Sequence, residues 1–330
     1  MKKNIIYKYI KFLVLIISFI FIYKNSKENY DSVLNNLKID YQIIFLSIII
    51  IIIIQNLLNI RSFSFLKLTS TYNANFGQWS SLFYLTGLIN QSPFWGAGHV
   101  LRSYEMKKNN YSHKEYVNMY FFIFLWGMLI YSLILIILSF LFNEINFFTS
   151  SLLLILLVFS LIITSKITLK FFLSIFKKFI SYEQIKKIKF FDFLFKELLK
   201  LIELTSLVSN KKVFINFLFF TVLLIFFEYL LLNIIFKLLI QNTESQIIFL
   251  FFLSNFLIRC VKPIDNVVGI KETILGLYGQ QLGLLFLEGA LVALIWRLLG
   301  VISLIINCIF YYLLNQTIYK KIKSLFLKNS

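Results

Sequence analysis

Two prolines occur in 330 residues, Pro93 and Pro263, and each opens a stretch that matches the other at a constant offset of 170 positions. Pro93 maps onto Pro263, Arg102 onto Glu272 and Trp126 onto Trp296. Each stretch interrupts an apolar run with helix breakers and sets a charge nine residues after its proline. The breakers are Pro93, Gly96 and Gly98 in the first stretch, Pro263 and Gly269 in the second. Self-similarity at a fixed offset reads as an internal repeat. Beside the breaks stand Arg102, Arg259, Lys262, Lys271 and Arg297, with Asp265, Glu272 and Glu288. Guanidinium or ammonium groups, joined by the N–H groups of broken-helix N-termini, suit a phosphate. Carboxylates then hold the cations in place.

Each of these residues also has a plainer reading. Arg102 fits a cation at the membrane interface, and Arg297 fits a structural ion pair with Glu272 or Glu288. Trp79 and Trp95 fit interface anchors. His99 reads as a packed or hydrogen-bonded residue, with a proton relay as the other option. Glu228 and Lys237 lie nine residues apart in one apolar run and need not touch. No nucleophile–base pair, no pair of carboxylates and no phosphate-cradling glycine loop beside a strand is legible, so the pattern is not that of an enzyme. Cys260 and Cys308 lie 48 positions apart in apolar surroundings and suggest neither a disulfide framework nor a metal site. His99 and His113 complete no zinc site with a nearby cysteine, so no metal or cofactor is expected.

The elements that must carry these residues are set by composition. The chain is 59% hydrophobic and 18% aromatic, a balance that belongs to a polytopic membrane protein. Its net charge of +18 is then no sign of nucleic acid, because lysine and arginine collect in cytoplasmic loops beside anionic lipid. Apolar runs long enough to cross about 30 Å of hydrocarbon cover 5–23, 41–60, 117–142, 147–172, 213–240 and 289–314. Arg61 and Lys67 are read as lying beyond the second of these. Residues 174–212 hold nine lysines and an apolar stripe, Phe191, Leu194, Phe195, Leu198 and Ile202. That stripe reads as an amphipathic helix on the membrane surface or as a charged connector with one face against the bundle.

Basic loops at 102–114, 174–212 and the C-terminus place both termini in the cytoplasm, and the Glu144 and Glu244 loops outside. That parity forces the broken regions 79–101 and 246–287 each to enter and return. Their arms are about 12 to 15 residues, roughly 20 Å, and too short to cross. The expected fold is therefore all-α: a single integral membrane domain over 1–330, with six full spans and two re-entrant hairpins. Its approximate inverted halves are 1–146 and 147–318. Eight kinked spans preserve the same parity and stand as the alternative.

The pattern Asn90-x-x-Pro93-x-x-Gly96-x-Gly98-x-x-x-Arg102, a basic loop, Pro263-x5-Gly269-x-x-Glu272 and Trp296-Arg297 resembles the lysylphosphatidylglycerol synthase transmembrane family. These flippase-like proteins occur alone or fused to a soluble aminoacyl-transfer domain. The resemblance runs from about residue 40 to 314. It implies a bacterial inner-membrane protein that translocates or handles lipids, in the stand-alone form, without lysyl transfer. Pro93, Gly96, Gly98, Arg102, Gly269, Glu272 and Arg297 fall at the motif positions. Phe94 stands where the family often has glycine, and Trp126-Gly127 where it has an acidic–arginine pair. The expected function is translocation of a phospholipid or lipid-linked glycan, with Arg102, Glu272, Arg297, Lys262 and Arg259 binding the substrate. Expected partners are anionic membrane lipids, with a second copy or lipid and glycan biosynthesis proteins as further options. A non-transporting scaffold or regulator of such a complex is the alternative.

Overall fold

A computed structural model of the chain describes residues 20, 23–24, 40–69, 75–91, 97–108, 111–141, 154–155, 211–240, 243–260 and 269–314. Every regular element among them is an α-helix: α1 (Tyr41–Thr69), α2 (Phe76–Gln91), α3 (Ala97–Lys107), α4 (His113–Leu141), α5 (Lys211–Leu239), α6 (Ser245–Cys260), α7 (Ile270–Gln281) and α8 (Phe286–Leu314). Within them, Tyr41–Lys67, Glu115–Ser139, Lys212–Leu239 and Phe286–Leu313 are long and apolar enough to cross a membrane. They fall on four of the six expected spans. Of the other two, 5–23 and 147–172, only residues 20, 23 and 154–155 are described, all helical, and the connection 174–212 lies outside the described residues up to residue 210. Among the described residues the chain is all-helical, with four helices whose length and apolar character suit a membrane protein.

Isoleucine-rich α1 shows why the class is so firm. β-Branched residues favour strands in water, but in hydrocarbon every backbone group must be bonded within its own segment, which selects the helix. Outward faces agree. Ile215, Phe219, Val222 and Phe226 recur at helical spacing on α5 and are all exposed, as are Leu294, Leu298, Ile302, Ile305 and Ile309 on α8. Lipid is the solvent that such stripes fit.

Local chemistry sets where the helices begin. Asp40 Oδ1 accepts from the Gln42 and Ile43 amides to start α1. Asn75 Oδ1 accepts from the Gln78 amide to start α2. Ser112 and Glu115 form a reciprocal capping box before α4. Glu288 reaches back to the Leu285 amide at the head of α8. α7 ends in a tight turn in which Leu284 N–H returns to the Gly279 carbonyl and Gly283 takes φ of 87°. Only glycine adopts that left-handed conformation without strain.

Over the two broken regions the described residues form α2, α3, α6 and α7, while 92–96 and 261–268 lie outside the described residues. Pro93, Gly96, Lys262, Asp265 and Pro263 fall in the two gaps, outside the described residues. Gly87 lies inside α2, where a Cβ would come 3.1 Å from Leu304. Gly98 likewise sits within α3, and a Cβ there would overlap the Thr86 carbonyl oxygen. Both serve close packing. Gly269 does mark a break, with φ of 94° immediately before α7.

The described residues group into two compact units. Unit 1 comprises Met1–Asn56, Ser80–His99 and Phe226–Ser330; unit 2 comprises Leu57–Trp79 and Val100–Ile225. Unit 1 is knitted by polar groups in its apolar interior. Asn56 Nδ2 donates to Asn307 Oδ1 at 3.0 Å, and the Tyr84 hydroxyl donates to Asn56 Oδ1 at 2.8 Å. The Tyr84 ring stacks on Tyr311, and Ser81 Oγ donates to the Tyr311 carbonyl. Hydrogen bonds of this kind hold helices together in lipid, where burial of apolar surface cannot. Tyr84→Phe keeps the stack and removes one donor. We expect it to lower unfolding free energy in detergent by about 0.6–1.7 kcal/mol. A value near zero would mean that Asn56 finds another donor.

Candidate functional site

Two ion pairs stand at the middle of unit 1. Glu228 lies within one helical turn of the centre of the Lys212–Leu239 span, and Trp296 and Arg297 lie within one turn of the centre of Phe286–Leu313. Arg259 Nη1, near the end of α6, donates to Glu228 Oε1 at 2.7 Å. Arg297 Nε donates to Glu272 Oε1, also at 2.7 Å. Trp296 joins the two, since it adjoins Arg297 in sequence and lies 5.2 Å from the Arg259 guanidinium. The carboxylates are the buried members, at 5% exposure for Glu228 and 4% for Glu272, while Arg259 is 24% and Arg297 13% exposed.

Glu272 holds more than a cation. Its Oε2 accepts the Gly269 amide at 2.7 Å, so the same carboxylate caps α7 and fixes Arg297. The open helix N-terminus expected as an anion site is thus served by the chain's own anion. Of the two carboxylates left open for Arg297, the fold selects Glu272, because Glu288 is engaged in capping α8. Lys271 beside it is buried as well.

Arg102 belongs to unit 2 and is 5% exposed, packed inside the protein. Its guanidinium lies 5.7 Å from the Trp79 ring and hydrogen-bonds the Tyr116 phenol. Trp79 is fully buried against Phe63, so it is no interface anchor. The next residue, Ser103, meets His113 Nδ1 at 2.9 Å, which with Arg102 ties α3 to the head of α4. Ser103 Oγ also donates to the Val100 carbonyl, so His113 is the donor to Ser103 and not its base. Burial, with the Glu115 carboxylate nearby, pushes the Tyr111 phenol well above its usual pKa and keeps it protonated.

Arg61 is a correction to the expected end of the second span. The helix continues past it to Thr69, and Arg61 is buried. It donates to Thr221 Oγ1 at 3.2 Å and lies 5.0 Å from the Phe217 ring, both on α5. Of the expected site residues, the structure brings Arg259, Glu272, Arg297 and Gly269 together in unit 1 and places Arg102 in unit 2. Glu228, Asn56 and Asn307 were missed as interacting groups. Their signal was the isolated polar residue in an apolar run. No three His, Cys, Asp or Glu side chains stand together as a metal site among the described residues. No protein-family model, curated protein or solved structure matches this chain.

Proposed function

We propose that this protein translocates a phospholipid or lipid-linked glycan across the bacterial cytoplasmic membrane, in the manner of the lysylphosphatidylglycerol synthase transmembrane family. In this reading six spans and two re-entrant hairpins form an inverted repeat, with both termini cytoplasmic. The single observation that carries it is the pair of Arg–Glu contacts at mid-span, Arg259 with Glu228 and Arg297 with Glu272. Charges at that depth cost about 2.5–3.5 kcal/mol each to insert, an expense that packing alone does not require. Guanidinium groups at mid-depth fit the passage of a phosphate headgroup.

The test is headgroup translocation in reconstituted vesicles. Arg102→Lys, Arg259→Lys and Arg297→Lys keep the charge but lose the bidentate fork. Each is expected to slow translocation of phosphatidylglycerol about tenfold, equivalent to roughly 1.4 kcal/mol, while the unfolding temperature stays near wild type. Wild-type rates in all three, at unchanged protein levels, would remove these residues from the transport path.

A further inference from the structure

The two mid-span ion pairs differ in what they hold. Displacing Glu272 uncaps α7, since its second oxygen carries the Gly269 amide. Glu228 lies far from either end of α5, where the helix bonds its own backbone, so releasing its side chain uncaps nothing. Arg259 is also the most exposed of the four charged side chains. The Trp296 ring lies 5.2 Å from its guanidinium, a cation–π distance, and the guanidinium's in-plane N–H groups have the geometry that fits phosphate oxygens.

One turn before Arg259 on the same face of α6 lies Asn255. Its side chain is buried, at 3% exposure, and its Oδ1 has no hydrogen-bond partner among the described residues. A buried amide left unsatisfied costs about 1–3 kcal/mol, and a hydroxyl group supplies what it lacks.

We propose that Arg259, Trp296 and Asn255 bind a phosphoester that carries a neighbouring hydroxyl, and that Glu228 is the tethered anion which that phosphoester displaces. The inference rests on the translocation reading above and names the substrate chemistry of its site. In a low-dielectric interior one guanidinium neutralises one anion, and a second would stand uncompensated. Phosphoester and Glu228 therefore exclude one another at Arg259. Asn255 meets the hydroxyl, which separates glycerol- or sugar-bearing headgroups from bare phosphate.

The experiment titrates the full-length protein in detergent with short-chain phosphatidylglycerol, phosphatidic acid and diacylglycerol, and separately with inorganic phosphate. Binding is read by tryptophan emission and by the ligand-induced shift in unfolding temperature. Wild type is expected to bind phosphatidylglycerol and to ignore diacylglycerol. Glu228→Gln removes the competitor and should tighten phosphatidylglycerol about tenfold, the scale of one charged hydrogen bond. Should that variant fail to fold, Glu228→Asp weakens the competitor while keeping its charge and should tighten binding several-fold. Glu228→Gln combined with Arg259→Gln leaves no unpaired ion; it should fold and bind no anionic lipid. Asn255→Leu should weaken phosphatidylglycerol about tenfold and leave phosphatidic acid unchanged.

Displacement of the lipid by inorganic phosphate at matching concentrations would support the same exchange with free phosphate as the occupant. Displacement by lipid alone assigns the site to headgroups. If wild type translocates phosphatidylglycerol but no Glu228 or Arg259 variant changes its affinity, the exchange is overturned and the transport reading stands. If no lipid is moved or bound, the transport reading fails. The exchange then stands only if Glu228→Gln binds inorganic phosphate about tenfold more tightly than wild type.

Discussion

Glu272→Ala is expected to destabilise the protein by about 3–5 kcal/mol, the scale of breaking a buried ion pair from one side. Two losses combine. Arg297, only 13% exposed, is left without its carboxylate at mid-span, and the Gly269 amide at the head of α7 loses its acceptor. Thr273 N–H still returns to the Gly269 carbonyl, so the first turn of α7 persists and the damage stays with the charge. Glu272→Gln retains an acceptor and should cost less than the alanine variant. Combining it with Arg297→Gln removes both charges and should recover part of that loss, because a neutral pair carries no buried ion. Unfolding in detergent, run as a double-mutant cycle, reads the coupling directly. An alanine variant within about 1 kcal/mol of wild type would mean that lipid or water solvates Arg297.

The second large effect is steric. A Cβ at Gly289 would sit 2.7 Å from the Leu275 carbonyl oxygen and 3.2 Å from the Gly276 Cα, both backbone atoms of α7. Neither can rotate away, so Gly289→Ala must push α7 and α8 apart, at about 1–3 kcal/mol. Gly276→Ala meets the fully buried Phe286 ring at 2.7 Å and should cost a similar amount. Gly279→Ala is the control. Its Cβ would lie 3.4 Å from the Gly289 Cα, an ordinary contact, and alanine's helix propensity should make it neutral or stabilising by up to about 1 kcal/mol. Equal effects at 279 and 289 would mean that helix propensity, and not the close approach, sets the result.

Much of the architecture is legible in the sequence. Four expected spans match apolar helices within a few residues at most ends, because in lipid an unbroken apolar run has no alternative to the helix. The second broken region does break among the described residues, at Gly269, where a φ of 94° admits glycine without strain. Helix starts are as local: Asp40, Asn75, Ser112 with Glu115, and Glu288 each act within three residues. Arg61 marks where such reasoning ends. A charge after an apolar run looks like the edge of the membrane, yet Phe217 and Thr221 wait for it 156 and 160 positions away.

Composition and periodicity thus determined the helical class and four helices long and apolar enough to cross a membrane, because those choices depend on a residue and its near neighbours. Only the tertiary structure decided which charges meet. Glu228 finds Arg259 across 31 positions, and Arg297 finds Glu272 across 25. Lys237 shares a helix with Glu228, and Glu288 a helix with Arg297, yet neither is the partner. Charge attracts without regard to sequence distance, so several pairings satisfied the chain as a string. Packing α6 and α7 together and α7 against α8 brought Glu228 to Arg259 and Glu272 to Arg297. Packing of α3 against α2 likewise turned Gly98 from an apparent break into a contact point, since backbone proximity between helices cannot be read from either helix alone.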